Sequence, residues 1–330
     1  MTARASNLQV PDVQAQPPSV AIGLSRVGVR DVEKVIRIRQ DGAEQLFSAR
    51  IECFVDLGPD QKGAHMSRFE EVINDVIGEV ILGESGFRAE QLAERVAELV
   101  RSRQNALRAE VTIAARYPEH RPAPVSGINT QEIYTLYGIA VASERGTRRV
   151  VGVAAQGMTA CPCAQELVAA AARERLEDDG FGSSEIERIL AAVPVATHNQ
   201  RGLGTLHVGV GENDVLAIEA RTLLSIVENA MSSEIYELMK RSDEAAVVAR
   251  AHARPRFVED CVREMIAGVI DELPELPDDA FVSARQENLE TIHQHNVEAE
   301  RHGTLGELRR ELAGGQHSLR QTTMRAWLEG

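Results

Sequence analysis

The stretch Gly157-Met-Thr-Ala-Cys161-Pro-Cys163-Ala-Gln165 ends a segment of alternating apolar residues that begins at Arg149. Such alternation is typical of a strand, so this stretch marks the point where a strand gives way to another element. Pro162 fixes its own φ and favours an extended backbone at Cys161. Thiols this close are poorly placed for a disulfide, because bridge geometry needs more separation, and they suit a metal ligand or a reactive thiol better. The alternative is that both cysteines are small buried apolar residues.

The residues on either side of this stretch repeat one order of elements. Before it, the periodicity predicts strands within 23–56, helices from Met66 and from Leu92, and strands at 107–117 and 133–158. Asp41-Gly42 suits the tight turn of a hairpin between the first two strands. After it, the periodicity predicts strands at 193–198 and 204–211, helices at 217–239 and 257–273, and strand alternation over 281–300. The chain is therefore predicted to be an α+β protein with two tandem ββααββ-like units, built from antiparallel sheets with helices packed on one face.

The same order predicts the domain organisation. The polar, proline-dotted N-terminus is expected to be a disordered arm, because it offers little apolar surface to bury. Between the two units, an alanine-rich segment predicts a helical connection. The predicted parts are an arm at 1–20, a first unit at 21–160, the connection at 161–192, a second unit at 193–304 and a tail at 305–330.

Composition narrows the classes of function. The 330 residues are 43% apolar, which is enough for two domains, and the net charge of −14 argues against binding nucleic acid. Four cysteines without a pairing pattern are typical of a reducing compartment. No apolar run approaches the ~18 residues of a membrane span, and no apolar signal segment opens the chain. The sequence thus predicts a cytoplasmic protein that binds neither nucleic acid nor a membrane.

A mixed set of thiols, imidazoles and carboxylates predicts a catalytic site for a divalent metal with an open position for water. Two of the imidazoles, at 293 and 295, lie two residues apart in a predicted strand, so they are expected to share one face with Glu287. For Glu244 and Glu259, solvated helix ends are the alternative reading. The candidate ligands are Cys161, Cys163, His198, Glu244, Glu259, His293 and His295.

A small basic group lies at the start of the helix predicted from Met66. It consists of Lys62, His65 and Arg68. Because helix N-termini favour anions, this group is a candidate phosphate cradle, and an ordinary charged loop is the alternative. The chain contains neither GxxxxGK[ST] nor GxGxxG, so a phosphate would have to be held without a glycine-rich loop.

These residues resemble the type IB GTP cyclohydrolases over most of the chain, from Lys62 to Arg309. The motifs that carry the resemblance are Gly157-Met-Thr-Ala-Cys-Pro-Cys-Ala-Gln165, Thr197-His-Asn-Gln-Arg-Gly202, Tyr236-Glu-Leu-Met-Lys-Arg-Ser-Asp-Glu244, Phe257-Val-Glu-Asp-Cys-Val-Arg263 and Glu290-Thr-Ile-His-Gln-His-Asn296. The resemblance implies the tunnelling fold, a homotetramer and active sites at subunit interfaces.

The resemblance also implies an activity, that of a hydrolase acting on cyclic amidines. GTP is hydrolysed at C8, formate leaves, and the ring recloses to a dihydroneopterin phosphate. One divalent metal per site is implied, with Fe²⁺ or Mn²⁺ preferred and Zn²⁺ possible as well, because availability often decides which metal such a donor set holds. The competing hypotheses are another tunnelling-fold enzyme of pterin or deazaguanine chemistry and a purine-binding assembly protein without catalysis.

Roles for individual residues follow from the resemblance alone. Cys161, His198 and Glu244 look like the metal ligands, and Cys161 doubles as a proton carrier. His293 and Glu259 look like acid–base or water-positioning groups. Glu290 looks like the guanine anchor, and the other substrate-binding candidates are Lys62, Arg68 and His295. The rival choices are Cys163, His295 and Glu287.

The spacing of the first two ligand candidates bears on the product. Cys161 and His198 are 37 positions apart, and the longer connection resembles the archaeal branch of the family rather than the bacterial one. The archaeal branch implies 7,8-dihydroneopterin 2′,3′-cyclic phosphate, for methanopterin-type cofactors. The bacterial branch implies 7,8-dihydroneopterin triphosphate, for folate-type products.

Overall fold

The computed structural model describes residues 12–40, 43–79, 88–212, 214, 218–314 and 320–330. The turn predicted at Asp41-Gly42 lies outside these residues. Within them, the elements are β1 (Leu24–Gln40), β2 (Ala43–Leu57), α1 (Met66–Glu79), α2 (Ala89–Gln104), β3 (Ala109–Pro122), β4 (Asn129–Ser143), β5 (Gly146–Ala160), α3 (Pro162–Asp178), α4 (Ser183–Ala192), β6 (Asn199–Val210), α5 (Ala220–Ala230), β7 (Ser233–Glu234), α6 (Arg241–Ala253), α7 (Val258–Glu272), β8 (Phe281–Leu289), β9 (Val297–Thr304), α8 (Leu305–Leu312) and α9 (Met324–Glu329).

In the described part of the chain, the strands form one nine-stranded sheet rather than the sheets of two repeated units. Hydrogen-bonded neighbours follow the order β1-β2-β3-β4-β5-β6-β8-β9, and β7 pairs with β5. The register is antiparallel between β1 and β2, β5 and β6, β6 and β8, and β8 and β9. The predicted fold class, a tunnelling fold of two tandem ββααββ-like units, is therefore wrong. It is replaced by a single antiparallel sheet with intervening helices.

The second half of the chain departs most from the predicted repeat. No strand covers 193–198, where Pro194 lacks the N–H that a ladder needs. The helix predicted over 217–239 ends at Ala230, because the next residues join the sheet: β7 pairs Ser233 with Met158. The Ser232 hydroxyl also accepts a hydrogen bond from the backbone N–H of Ala160 at 3.1 Å. A separate helix, α6, follows, and the alternation over 281–300 splits into β8 and β9.

Two compact units divide the chain, and β3, β4 and β5 each run through both. The first comprises the chain up to Ile113 together with Ile139–Thr147. Its core consists of one face of β2 and the apolar stripes of α1 and α2, all fully or almost fully buried: Ile51, Cys53, Val55, Phe69, Val72, Ile73, Val76, Val96 and Val100. The second unit comprises Ala114–Gly138 and Arg148–Gly330.

In the second unit, α5 and α7 pack on the sheet through buried apolar side chains, among them Leu223, Val227, Met265 and Val269. The helix approaches the strands closely, because a Cβ on Gly204 would lie 2.6 Å from a methyl carbon of Val227. By contrast, α3 buries none of its residues. The predicted boundaries at residues 20, 160, 192 and 304 stay predictions. No helix among the described residues is long and apolar enough to cross a membrane.

Candidate functional site

Cys161 lies where β5 ends and α3 begins, as the first motif predicts. Its extended backbone (φ −77°, ψ 117°) makes it the N-cap of α3, and Pro162 occupies the first helical position. The backbone N–H of Ala164 points at the Cys161 sulfur across 3.5 Å. Cys161 is half-buried and Cys163 is exposed.

The other two cysteines are buried among apolar side chains. Burial raises the pKa of both Cys53 and Cys261 to about 12. Burial therefore favours the neutral thiol over the thiolate at these two positions. The more accessible thiols are those of Cys161 and Cys163.

His198 lies directly beside Cys161, although 37 positions separate them in the sequence. The backbone N–H of Cys161 donates to the His198 carbonyl at 3.1 Å. The Thr197 hydroxyl donates to the Cys161 carbonyl at 2.7 Å. These bonds extend the β5–β6 ladder by one step beyond the Ala160–Asn199 pair, so the backbones of Cys161 and His198 lie side by side at this end of the sheet.

The His198 ring faces two oxygen atoms on one side. Its Nδ1 lies 3.1 Å from Oε1 of Gln200 and 3.9 Å from Oε2 of Glu290. The Glu290 side chain is only 5% exposed, and Oε2 makes no hydrogen bond with the described part of the chain. Glu290 is thus a carboxylate that has lost its water at one oxygen and has gained no full partner for it.

His293 and His295 lie near His198, but the backbone that carries them is not the predicted strand. Residues 290–296 form no strand, so the prediction that both imidazoles share a strand face with Glu287 is wrong. Instead the segment bends, and the Thr291 hydroxyl anchors it to the Asn199 carbonyl at 3.0 Å. The sequence suggested a strand because polar and apolar residues alternate there. The chain instead has to turn between the antiparallel strands β8 and β9.

The bend stacks the imidazoles beside His198. The rings of His293 and His295 are 5.2 Å apart and nearly parallel, and His293 meets His198 edge-on with centroids 6.3 Å apart. Glu287 stays on β8, where Arg285 and Asn296 contact its carboxylate. The structure therefore groups Glu290, rather than Glu287, with the imidazoles.

Glu244 does not join this group within one chain. It is exposed in the first turn of α6, whereas the sequence suggested the exit of a helix. The other end of α6 adjoins the site, since Nε2 of His252 lies 3.4 Å from the Thr197 carbonyl. Eight residues at a rise of ~1.5 Å separate Glu244 from His252, which is about 12 Å along the helix axis.

The side chains that lie together in one chain can be compared with those that a divalent metal requires. A thiol and an imidazole on adjoining backbone segments suit Fe²⁺, Mn²⁺ or Zn²⁺ as two of the ligands. However, no three His, Cys, Asp or Glu side chains in the described ranges come close enough together to hold an ion. Within the described part of one chain, Cys161 and His198 are therefore not joined by a third side chain of these types.

Glu259 lies in the first turn of α7 and lines a separate cavity of about 270 Å³. Val262, Ile266 and Leu308 give this cavity an apolar floor. The entrance to α7 adjoins the Cys161 end of β5, because the backbone N–H of Arg256 donates to the Ala160 carbonyl at 2.9 Å. Glu259 is exposed.

Lys62, His65 and Arg68 belong to the first unit, and two of them are already engaged there. His65 Nε2 lies 3.0 Å from the Asp12 carboxylate, and Arg68 donates to the Arg103 carbonyl near the end of α2 at 3.0 Å. Lys62 is exposed at the start of this segment. The residues fit the reading of a charged loop as well as that of an anion cradle.

One residue at the site, Gln200, was not predicted. Its side chain is buried, and it stands two positions after His198 on β6. A glutamine among the apolar and glycine residues of a buried strand face is the signal that would have identified it, because a buried amide needs hydrogen-bond partners.

The sequence matches a family model over residues 10–299, and the model is described as type I GTP cyclohydrolase folE2. The chain is 42% identical over 312 residues to GTP cyclohydrolase MptA of Methanococcus maripaludis strain C5, covering 92% of this chain and 98% of that protein. It is 41% identical over 308 residues to GTP cyclohydrolase MptA 1 of Methanocella arvoryzae, covering 92% and 97%. MptA of Methanosarcina barkeri is 41% identical over 313 residues, with the same coverage.

Among solved structures, the fold is similar to that of a uricase from Arthrobacter globiformis. The TM-score is 0.53 at 9% sequence identity, and the alignment covers 94% of this chain and 99% of the uricase. At that identity the likeness concerns the fold alone.

Proposed function

This chain belongs to the type I GTP cyclohydrolase family described as folE2, and from that premise we propose that it hydrolyses GTP at C8 and releases formate. The product is a dihydroneopterin phosphate for pterin-type cofactors. One observation carries the proposal: the match to the relative extends over 92% of the chain at 42% identity, and the motifs of the candidate site lie within residues 10–299 that the family model matches. The cluster of Cys161, His198, Glu290 and His293 supports it, because it combines a thiol, imidazoles and a dehydrated carboxylate at one place.

The family is generally metal-dependent. Cys161 and His198 would hold the metal from one chain, and Glu244 would complete the set from a second copy. A metal bound there would supply a water of lowered pKa, which C8 requires because neutral water is a poor nucleophile. The choice among Fe²⁺, Mn²⁺ and Zn²⁺ belongs to the proposal. The distance of Glu244 from His198 within one chain favours an assembly, for which we propose a homotetramer with sites between subunits.

The remaining residues would bind GTP and move protons. Glu290 anchors guanine, since a carboxylate can accept from N1–H and from the exocyclic amine together. Its unpartnered Oε2 supports this role, because a bound donor would satisfy it. His293 transfers the protons of ring opening, and the exposed Glu259 positions water or shares that task. His295 stacks on His293 and would contact the base, and Lys62 and Arg68 would meet the triphosphate.

The proposed product is the 2′,3′-cyclic phosphate. Two helices, α3 and α4, fill the connection between Cys161 and His198. The relatives with high coverage are named MptA and come from methanogenic genera by name, which agrees with the archaeal-type branch. The triphosphate is the second candidate product.

The test is an anaerobic reaction of the full chain with GTP after separate reconstitution with Fe²⁺, Mn²⁺ and Zn²⁺. Mass analysis of the pterin then identifies the product. We expect the cyclic phosphate with Fe²⁺ or Mn²⁺. The triphosphate as product would confirm the cyclohydrolase activity and would contradict the assignment to the archaeal-type branch. No pterin with any of the three metals, together with retained guanine binding, would favour the purine-binding assembly protein.

A further inference from the structure

The contact between His198 and Gln200 bears on which ring nitrogen of His198 carries the proton. A neutral imidazole carries its single ring proton on either Nδ1 or Nε2, and the nitrogen without the proton is the one that can bind a metal or accept a proton. Which nitrogen is bare at His198 therefore decides what the ring presents to the site. Nδ1 is the nitrogen that faces Gln200 at 3.1 Å.

The amide of Gln200 has two ends, and only one of them fits the surroundings. If its NH₂ faced Nδ1, that nitrogen would have to carry a lone pair. Oε2 of Glu290, 3.9 Å from the same nitrogen, would then face a second lone pair. If Oε1 faces Nδ1, the nitrogen carries a proton directed at two acceptor atoms. The buried carboxylate, which has no other partner in the described chain, thus selects the orientation of the amide.

We propose that Gln200 is a positioning residue that holds His198 in the Nδ1–H tautomer, so that Nε2 presents its lone pair to the site. The arrangement is the one by which histidine ligands are commonly oriented, with the second ring nitrogen donating to a neighbouring oxygen. Gln200 is only 5% exposed, and it stands on a strand whose register with β5 is unbroken from Ala160–Asn199 to Arg149–Val210. Its amide therefore has little freedom to leave His198.

The consequence for catalysis rests on the proposed function, but the tautomer itself does not. If Nε2 binds a metal or accepts a proton, its lone pair has to be free of a proton beforehand. A side chain that sets the tautomer in the free protein removes one cost of binding. Loss of such an outer partner typically weakens metal affinity by about 10–100-fold.

The experiment is a long-range ¹H–¹⁵N spectrum of the metal-free full chain, labelled in histidine and recorded at pH 8, where an ordinary imidazole is neutral. His198→Asn assigns the signals. We expect His198 to carry its proton on Nδ1 in the wild type. Gln200→Met keeps the length of the side chain but offers no acceptor, and it should move the population towards Nε2–H. Gln200→Glu should keep a proton on Nδ1, because a carboxylate only accepts.

Gln286→Met is the matched control. Gln286 is also a fully buried amide on a neighbouring strand, and its bond goes to Asn288 rather than to His198. We expect it to leave the tautomer unchanged and to alter Mn²⁺ affinity little, whereas Gln200→Met lowers that affinity about 10–100-fold. An Nε2–H ring in the wild type would overturn the proposal even if Gln200→Met does not fold, and so would a tautomer that ignores Gln200→Met.

The two proposals fail separately. A wild type with the Nδ1–H ring that releases no formate would remove the proposed function and leave the positioning role of Gln200. A wild type that releases formate with an Nε2–H ring would support the proposed function and remove the positioning role of Gln200.

Discussion

Cys161 and Cys163 are two residues apart, yet the fold gives them different surroundings. Cys161 caps α3 and lies beside the His198 backbone, whereas Cys163 is exposed in the first turn of the helix. The sequence could place the pair at the end of a strand, because the alternation before it and Pro162 act over neighbouring residues. The sequence left open which of the two cysteines acts, because that choice depends on the neighbouring His198. His198 is distant in the sequence and directly precedes β6.

Cys161→Ala should lower turnover by at least ~100-fold, since loss of even an outer partner of a metal ligand costs about 10–100-fold. Cys161 is half-buried at a helix start, so the fold should survive. Steady-state kinetics of the reconstituted protein measures the loss, and circular dichroism checks the fold. Cys163→Ala is the matched control and should keep most of the activity. The reverse ranking of the two variants would transfer the role to Cys163.

Glu290→Gln should act mainly on GTP binding. An amide in place of the carboxylate replaces an acceptor by a donor where the guanine edge also donates, so a charged hydrogen bond worth ~1.5–3 kcal/mol is lost. We expect the KM for GTP to rise by roughly 10- to 100-fold. Glu287→Gln is the control, because Glu287 already has Arg285 and Asn296 as partners. An unchanged KM for Glu290→Gln would exclude it as the guanine anchor.

Among the elements, α6 illustrates how a single carboxylate can set the start of a helix. Asp243 is fully buried and accepts hydrogen bonds from the backbone N–H groups of Val125, Ser126 and Lys240 at 2.8 Å and from the Ser126 hydroxyl at 2.7 Å. Burial alone would raise the pKa of Asp243, but these bonds outweigh it and hold the pKa below its usual range. The next residue is Glu244, so the same bonds fix the proposed ligand.

Asp243→Asn should lower the melting temperature at pH 7 and weaken Mn²⁺ binding, because an amide cannot accept all four bonds. The lowered pKa sets the pH dependence. The contribution of Asp243 is present above the unfolded value of ~3.9 and is lost as the pH falls through the lower folded value. The melting-temperature difference between wild type and variant should therefore be full at pH 7 and shrink below about pH 4. A difference that stays constant down to pH 3 would contradict this account.

The same sheet contains a second group that responds to pH over a separate range. His207 on β6 packs against Tyr137 with ring centroids 5.2 Å apart, and a Cβ on Gly152 would lie 2.3 Å from its ring. Burial lowers the pKa of His207 to about 4. Below the unfolded value of ~6.5, the unfolded chain takes up a proton that the folded one refuses, so stability falls with pH.

The free energy of unfolding should therefore decrease between pH 6.5 and 4, by up to ~3 kcal/mol from this residue. His207→Phe keeps an aromatic ring but cannot titrate, so its urea midpoint should change less over that range. Urea titrations at pH 7, 5.5 and 4.5 measure the difference. Parallel pH profiles for the two proteins would show that His207 is accessible to protons in the folded state.

At the scale of the whole molecule, local sequence signals predict where elements begin and end better than they predict how the strands pair. The junction of β5 with α3 was predicted because Pro162 and the alternation before it act over neighbouring residues. The single sheet was not, because the order β5-β6-β8 depends on contacts that periodicity does not encode. Pro194 should have excluded a strand at 193–198, and the two residues of β7 are too short to give a periodic signal.

The candidate site shows the same division. The motifs identified the residue types, but the meeting of His198, Glu290 and His293 depends on a turn that the sequence suggested to be a strand. Glu244 remains apart within one chain, and α3 buries none of its residues there. Both observations support the proposal that the active protein is an assembly of copies.

The measurement that tests the central claim most directly is the fate of the C8 carbon of GTP. The anaerobic, Mn²⁺- or Fe²⁺-reconstituted chain would be incubated with GTP labelled with ¹³C at C8, and ¹³C NMR would follow the label. The account predicts labelled formate in step with loss of GTP, and none from Cys161→Ala. Label that stays in the purine, with either metal and with folded protein, would contradict it.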